Sequence, residues 1–342
     1  MRIGIIGGGN ISHTHARAAQ AIPGVTVAAV FGTNRDRTSA LGREFGAKTY
    51  DNLDRFLDHR PMDLVAIGSP SGLHAEHGMA AAQRGLHVLV EKPIEVTAQR
   101  ADDLIAAAGA AGVKLGVFFQ DRLRPALRRI KAALDAGEIG KPVMIAGRVK
   151  WYRPPDYYAG SRWRGTWTLD GGGALMNQGI HTVDLMQWLF GPVARVQAWI
   201  GTRVHAIEVE DTAAAIFEFA SGAAGTIEAT TSAYPGYARR LEITGAEGTI
   251  VLEHDRIVTV DLRSPSAHVS VQASGDSTRS AASPVVSDAS AHQRVLEDFI
   301  RAIETNGTPA CDGRAARSSV ELVEAVYASA RAGRPVIPGE RR

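Results

Sequence analysis

The sequence predicts an α/β protein: an N-terminal doubly wound domain on a parallel sheet, then an α+β domain with a large, mostly antiparallel sheet. Three observations predict it. Through the first third of the chain, continuous apolar runs alternate with helical patterns, as in a parallel sheet covered on both faces. From Val143 onward the runs are short and carry period-two alternation, as strands with one covered face do. The chain has 342 residues, 45% of them hydrophobic and 22% charged, enough for about two domains at ~150 residues each.

The elements follow in order. Arg2–Ile6 is the first strand candidate, followed by a glycine cluster and a helix running through Ala21 to the stop at Pro23-Gly24. Val25–Phe31 is the second strand, and a helix from Asp36 to Phe45 ends at Gly46. Met62–Gly68, Leu86–Val90 and Val113–Phe119 are further continuous runs. Helices His74–Arg84 and Thr97–Ala111 fit between them, closed by Gly85 and Gly112. This places a first domain at 1–121 and a second at 122–342. In the second, a helix ends near Gly137. Val143–Val149, Ala194–Thr202, Ala213–Phe219, Gly225–Thr231, Arg240–Thr244 and Thr249–Glu253 are then the strand candidates. The serine-rich stretch Ser264–Ser290 reads as a solvent-exposed excursion at the sheet edge. Two amphipathic helices close the chain and are expected to pack back on the first domain. One is marked by Val295, Phe299 and Ile303; the other runs from Arg314 to Ala332.

Charge and cysteine usage exclude several classes. Lys plus Arg number 38 against 36 for Asp plus Glu, a net charge of +2. That balance offers nothing for nucleic acid or an anionic membrane surface. No apolar run of about 18 residues exists to span a bilayer. Cys311 is the only cysteine, so there is no internal disulfide and no metal site built on several thiolates. The sequence enters a strand-like run immediately after Met1, and the expected location is the cytoplasm. His13, His15, His74 and His77 do not form the H-E-x-x-H signature, and no metal is expected.

Four stretches carry chemistry. Gly7-Gly8-Gly9-Asn10-Ile11-Ser12 follows the first strand as G-x-G-x-x-S. In that context Gly7 serves a tight turn, and Gly9 lets the amides at Asn10 and Ile11 approach a pyrophosphate at the helix N-terminus, as in a Rossmann dinucleotide-binding domain. A structural glycine turn would look the same. The second strand ends in Gly32-Thr33-Asn34-Arg35, where an acid that holds an unphosphorylated ribose is expected. With no carboxylate there, Thr33, Asn34 and Arg35 suit a 2′-phosphate, so NADP is preferred over NAD. Arg35 and Arg37 equally suit a solvated helix start.

Glu91-Lys92-Pro93 stands at the carboxyl end of a parallel strand, where residues face the ligand crevice. A partly desolvated Lys92 would have a lowered pKa and could exchange a proton with substrate oxygen. A lysine with its stem packed and its head in water is the alternative. The run from Asp170 through Gly171–Gly173 leads into a helix that would carry Asn177, His181 and Asp184 on one face. Convergence on a pocket and a structural buried histidine are both consistent with it. Finally, residues 151–167 hold Trp151, Tyr152, Tyr157, Tyr158, Trp163 and Trp167, with Arg153, Arg162 and Arg164 interleaved. Aromatic faces suit sugar C–H faces and arginines suit a carboxylate or phosphate; a subunit interface has the same composition.

Together these residues resemble the glucose–fructose oxidoreductase/inositol dehydrogenase/MocA (Gfo/Idh/MocA) family over nearly the whole chain. The likeness rests on the N-terminal glycines, Pro70–His74 (PSGLH), Glu91-Lys92-Pro93, Arg122, Gly171–Asp184, Val209–Thr212 and Gly245–Gly248. It implies an NAD(P)-dependent oxidoreductase that moves a hydride between nicotinamide C4 and a secondary alcohol or ketone of a sugar, inositol or related polyol. Lys92 and His181 match the family's catalytic lysine and histidine. Asn177 stands where many members have an aspartate. An amide cannot take a proton, so Asn177 is expected as a hydrogen-bonding substrate anchor. Lys92 and His181 would then handle the proton, in either order. Asp184 is a candidate to orient His181.

The resemblance further implies cofactor contacts at Gly7, Gly9, Asn10, Ile11, Gly32–Arg35, Ser69, Pro70, His74, Glu91 and Lys92. Substrate contacts are implied at Lys92, Gln120, Arg122, Trp163, Arg164, Asn177 and His181. A homodimer or homotetramer is expected. The competing readings are an NAD-dependent glycoside hydrolase of the same superfamily and a non-enzymatic cofactor-binding regulator; the presence of Lys92 and His181 argues against the second.

Overall fold

A computed structural model describes residues 1–272 and 288–340. The described chain forms two compact units. One contains Met1–Leu123 and, from the C-terminal part, the chain up to Arg317; the other begins at Arg124 and takes up the chain again from Ser318.

The first unit carries strands β1 (Arg2–Ile6), β2 (Thr26–Phe31), β3 (Lys48–Tyr50), β4 (Leu64–Ile67), β5 (His87–Val90) and β6 (Leu115–Val117). Its helices are α1 (Asn10–Gln20), α2 (Arg35–Phe45), α3 (Leu53–Leu57), α4 (His74–Ala82) and α5 (Ala98–Ala110). The six strands are all parallel, in the order β3-β2-β1-β4-β5-β6. That is the doubly wound arrangement in which ligands bind beyond the carboxyl ends of the strands, where the winding reverses next to β1. The five predicted strands are present, and β3 adds a sixth. Its three residues are too few to show a period.

Capping explains the helix starts. Asn34 accepts from the Arg37 amide at 3.0 Å and Thr97 from the Arg100 amide at 3.3 Å, caps worth about 1 kcal/mol each. The core gathers Ile3 and Ile5 from β1, Ala16 and Ala19 from α1, and Phe118. Val295, Leu296, Phe299 and Ile300 of α9 (Ser290–Glu304) complete it. The four-residue spacing read for that helix is its buried stripe.

The second unit contains α6 (Pro125–Asp135), β7 (Pro142–Lys150), α7 (Asp156–Ala159), a π-helical turn at Ala174–Gly179 and α8 (Ile180–Phe190). Strands β8 (Val193–Gly201), β9 (Thr212–Phe219), β10 (Ala224–Thr230), β11 (Arg240–Gly245), β12 (Gly248–Glu253) and β13 (Arg256–Leu262) follow. Its seven strands run β13-β12-β11-β7-β10-β9-β8, antiparallel except for β7 beside β10. The last helix, α10 (Gly313–Ala332), begins in the first unit and continues in the second. One face of this sheet is covered by α8, whose Thr182 and Met186 lie over Gly147 of β7. The other face presents Met144, Trp199 and Ile216 among charged residues; Ile216 is 61% exposed.

The edge strand β13 was not read from the sequence. Its partner stretch is also less exposed than expected: Val269 is buried, and Gln272 donates to the Ile257 carbonyl at 2.9 Å. The rest of the predicted excursion, 273–287, lies outside the described residues. No helix among the described residues is long and apolar enough to cross a membrane.

Candidate active site

At the carboxyl end of the first sheet, β1 delivers Gly7, whose amide donates to the Phe31 carbonyl at 2.8 Å. Gly7 sits at φ +124°, and a Cβ there would meet Ser12 Oγ at 2.7 Å and the Gly68 carbonyl at 2.8 Å. Ser12 is fully buried, so a small side chain is what that third position needs. Gly9 is the N-cap of α1, supplies no side-chain oxygen to the first-turn amides, and has open space where a Cβ would stand. A cradle of that kind, at the positive end of a helix dipole, fits a pyrophosphate. At the end of β2, Gly32 is buried while Thr33–Arg37 are exposed. Asn34 uses its Oδ1 as the α2 cap.

Some predicted cofactor contacts spend their side chains within the protein. His74 is 1% exposed, with Nδ1 at 2.8 Å from the Pro93 carbonyl and Nε2 at 3.0 Å from the Ser69 carbonyl. Burial lowers its pKa. Its observed work is to tie the loop after β4 to the turn after β5. Pro70 opens a short 3-10 turn over Ser71–Leu73, and Ser69 Oγ pairs with His77 Nδ1 at 2.9 Å.

Glu91 is likewise turned inward. Its Oε1 lies 2.9 Å from Nε2 of His15 on α1 and 3.3 Å from Nε2 of His292 on α9. Its Oε2 accepts from the Lys92 amide at 3.2 Å. Burial opposes ionisation of this carboxyl, yet the hydrogen bonds from the two imidazoles outweigh it and hold the pKa well below the usual range. One nitrogen or oxygen from each of the three lies within 4.8 Å of the others, a spacing that metal ligands also adopt. However, both Nδ1 atoms are buried without a hydrogen-bond partner, whereas metal-bound imidazoles use that atom to fix their orientation. The distances describe a hydrogen-bonded triad. Lys92 follows it, half-buried, and its peptide bond to Pro93 is cis.

Gln120 is half-buried. Arg122 is buried in its own unit and donates Nη1 to the Ala310 carbonyl at 3.5 Å, a structural contact that the sequence reading did not anticipate.

In the second unit, the run that was expected to be one regular helix is not. Asn177 lies in the π turn 174–179, whereas His181 and Asp184 lie on α8, so the three do not share the even α-helical spacing that was read. Such π turns are frequent at functional sites. Asn177 Nδ2 donates to Asp170 Oδ1, and Asn177 Oδ1 accepts from Gln178 Nε2 at 2.9 Å. Asp170 is 1% exposed, and its other oxygen accepts from the Gly165 amide at 2.9 Å.

Gln178 continues the chain to Tyr157 Oη at 3.2 Å and accepts from Arg153 Nη2 at 3.1 Å. Arg164 lies 4.5 Å over the Tyr157 ring and 4.9 Å over Trp163. The aromatic–arginine segment is thus hydrogen-bonded directly to the turn that carries Asn177. His181 is half-buried at the start of α8. Asp184, the candidate to orient it, is fully buried and accepts from Ser319 Oγ at 3.0 Å, a tie between α8 and α10.

Asp170 and Gln178 were missed as participants, although both stood in the motif. The usable signal was a buried-type acid placed just before a glycine run.

Comparison with known proteins accords with this geometry. Residues 1–119 match the family model described as "Oxidoreductase family, NAD-binding Rossmann fold" and residues 127–251 the model for the GFO/IDH/MocA C-terminal domain. The D-apiose dehydrogenase of Paraburkholderia graminis is 29% identical, over 97% of this chain and 88% of that protein. The D-xylose 1-dehydrogenase (NADP(+)) 2 of Haloferax volcanii is 29% identical, over 98% and 99%. The crystal structure of the WlbA dehydrogenase from Bordetella pertussis, in complex with NADH and UDP-GlcNAcA, superposes with a TM-score of 0.90 at 32% identity, covering 100% of this chain and 98% of that one. With both family models matched along one chain, the protein belongs to the GFO/IDH/MocA family of NAD-binding oxidoreductases.

Proposed function

We propose that this oxidoreductase takes NADP in preference to NAD and acts on a secondary alcohol or ketone of a sugar or related polyol. The observation that carries the reading is the glycine cradle at Gly7–Gly9 followed by a β2 end without an acid at Gly32. The exposed Arg35 and Arg37 supply charge for a 2′-phosphate. When bound, the nicotinamide supplies the hydride chemistry.

The chain's own residues bind, orient and move the proton. The amides at the start of α1 would hold the pyrophosphate. By the family resemblance, His181 and Lys92 are the groups proposed to handle the proton, one accepting it from the hydroxyl in oxidation and the other polarising the oxygen, in either order; in reduction they return it. Asn177 anchors the substrate with an amide whose orientation Asp170 sets. Trp163 and Arg164 are proposed to line the substrate end, with Gln120 a further contact. A hydroxylated ligand suits this set, because an amide, a glutamine, a phenol and arginines can all pair with hydroxyl groups. The exposed sheet face with Met144, Trp199 and Ile216 is proposed as the surface of a homodimer or homotetramer, to be checked by light scattering.

The experiment is a fluorescence titration of the purified protein with NADPH and NADH. It is coupled to a turnover screen of D-apiose, D-xylose, myo-inositol, free uronates and UDP-GlcNAcA. Tight NADPH binding with turnover on one of them is expected. Failure to bind either nucleotide overturns the reading.

A further inference from the structure

The glycine run before the π turn has its own partner, and it is a buried carboxyl. Glu210, just before β9, is 2% exposed. Its Oε2 accepts from the Gly173 amide at 2.9 Å and its Oε1 from the Leu175 amide at 2.8 Å. Between these, its backbone carbonyl accepts from the Ala174 amide at 2.9 Å. One residue thus takes three successive amides at the entry to the π turn, the groups that a helix start leaves without intrahelical partners.

A fourth donor comes from α10: Tyr327 Oη donates to Glu210 Oε1 at 2.9 Å, and Tyr327 is itself buried. The fit excludes side chains on the glycines. A Cβ on Gly173 would stand 1.8 Å from the Glu210 carbonyl, and one on Gly172 would stand 2.1 Å from Tyr327 Oη. The three-glycine sequence and the Val209-Glu210-Asp211 sequence are therefore two halves of one contact.

We propose that Glu210 is a positioning residue: with Tyr327 as its support, it clamps the turn Gly172–Leu175 and so fixes the register in which Asn177 and His181 are presented. The inference rests on the reading of Asn177 as the substrate anchor. Asn177 lies two residues beyond Leu175, so a turn released from the clamp shifts the amide and the first turn of α8 together. A displacement of about 1 Å in a reacting group costs on the order of 10²-fold in rate.

Two variants test the clamp. Glu210→Gln keeps the size but turns an amide donor towards the Gly173 or Leu175 amide. Tyr327→Phe keeps the ring and all three amide bonds to Glu210 and removes only the hydroxyl. Amide hydrogen exchange is measured over residues 171–179 on the full chain, with NADH fluorescence as an independent report on the first unit. Exchange is expected to rise at least tenfold in Glu210→Gln and severalfold in Tyr327→Phe. On the best substrate of the screen above, kcat is expected to fall at least tenfold in Glu210→Gln, with nucleotide affinity unchanged.

Unchanged exchange in both variants overturns the clamp. Faster exchange with unchanged kcat and KM overturns the positioning role. Should Glu210→Gln not fold, Tyr327→Phe decides both points. If the wild-type chain binds neither nucleotide, the functional reading has failed, while the exchange arm still decides whether Glu210 holds the turn.

Discussion

Glu91 and Glu210 are both buried carboxyls, one beside Lys92 in the first unit and one beneath the Asn177 turn in the second, yet their surroundings shift their pKa values in opposite directions. Two imidazoles face Glu91 and keep it ionised against the cost of burial. Glu210 receives two amides and a phenol; burial outweighs them and pushes its pKa up to about 7. The difference teaches that depth alone does not set charge. At Glu91 the hydrogen bonds from two imidazoles outweigh the cost of desolvation; at Glu210 two amides and a phenol offset only part of it.

Several measurements would break that comparison or add detail to it. The largest effect belongs to Lys92, whose backbone amide donates to Glu91. Lys92→Met is expected to lower turnover by about 10²–10⁴-fold, the range for loss of a proton-handling group, with NADPH affinity unchanged in the fluorescence titration. Turnover equal to wild type would remove Lys92 from the chemistry and leave its strand end purely structural.

Next is the triad itself. Glu91→Gln takes a carboxylate away from two imidazole donors, and a hydrogen bond to a charged group contributes about 1.5–3 kcal/mol, so the variant should lower the denaturation midpoint clearly in urea or on heating. A variant as stable as wild type would show that the imidazoles do not depend on the charge.

Third is the pH dependence, where the two glutamates should pull in opposite directions. For Glu91 the folded pKa is depressed. Its stabilising contribution is present above the ordinary glutamate value of 4.5 and fades as the pH falls through the folded pKa. For Glu210 the folded pKa is raised from 4.5 to about 7. Its contribution is fully present below 4.5 and lost as the pH rises through 7. At 1.36 kcal/mol per pKa unit the second swing is about 3 kcal/mol. Chemical denaturation of wild type and Glu210→Gln between pH 4.5 and 7 checks it. The variant should lose the decline that wild type shows, and parallel curves would refute the assignment.

The smallest effect lies at the β2 end. Arg35→Ala with Arg37→Ala should weaken NADPH by about tenfold, ~1.4 kcal/mol, and leave NADH unchanged. Equal weakening of both nucleotides would mean that these arginines do not read the 2′-phosphate.

Much of this was legible in the residues. The alternation of continuous and period-two runs predicted both sheets, since a strand covered on two faces and one covered on a single face must differ in pattern. Gly7 and Ser12 were legible because a tight turn against β1 and β4 tolerates little else. The short strand β3 and the edge strand β13 were not, because three residues carry no period and an edge strand need not alternate fully.

The π turn escaped for a different reason. Its residues Ala174–Gly179 would suit a regular helix, and what bends their register is Glu210 and Tyr327, far away in sequence. Glu91 and His74 were expected at the cofactor by family resemblance, and the structure shows their side chains paired within the protein. Nothing local says that His15 and His292, or the Ser69 and Pro93 carbonyls, stand ready to receive them.

By itself, then, the sequence determined the two sheet types, the dinucleotide turn, the missing acid after β2 and the family. Each of these is written in neighbouring residues, and periodicity, glycine sterics and charge act over one or two turns of chain. The tertiary structure alone decided which polar groups meet. It set Glu91 between two imidazoles, Asp170 against Asn177 and Glu210 beneath the glycines. Those pairings join residues 7 to 201 positions apart, and their energies depend on burial that only the folded chain creates.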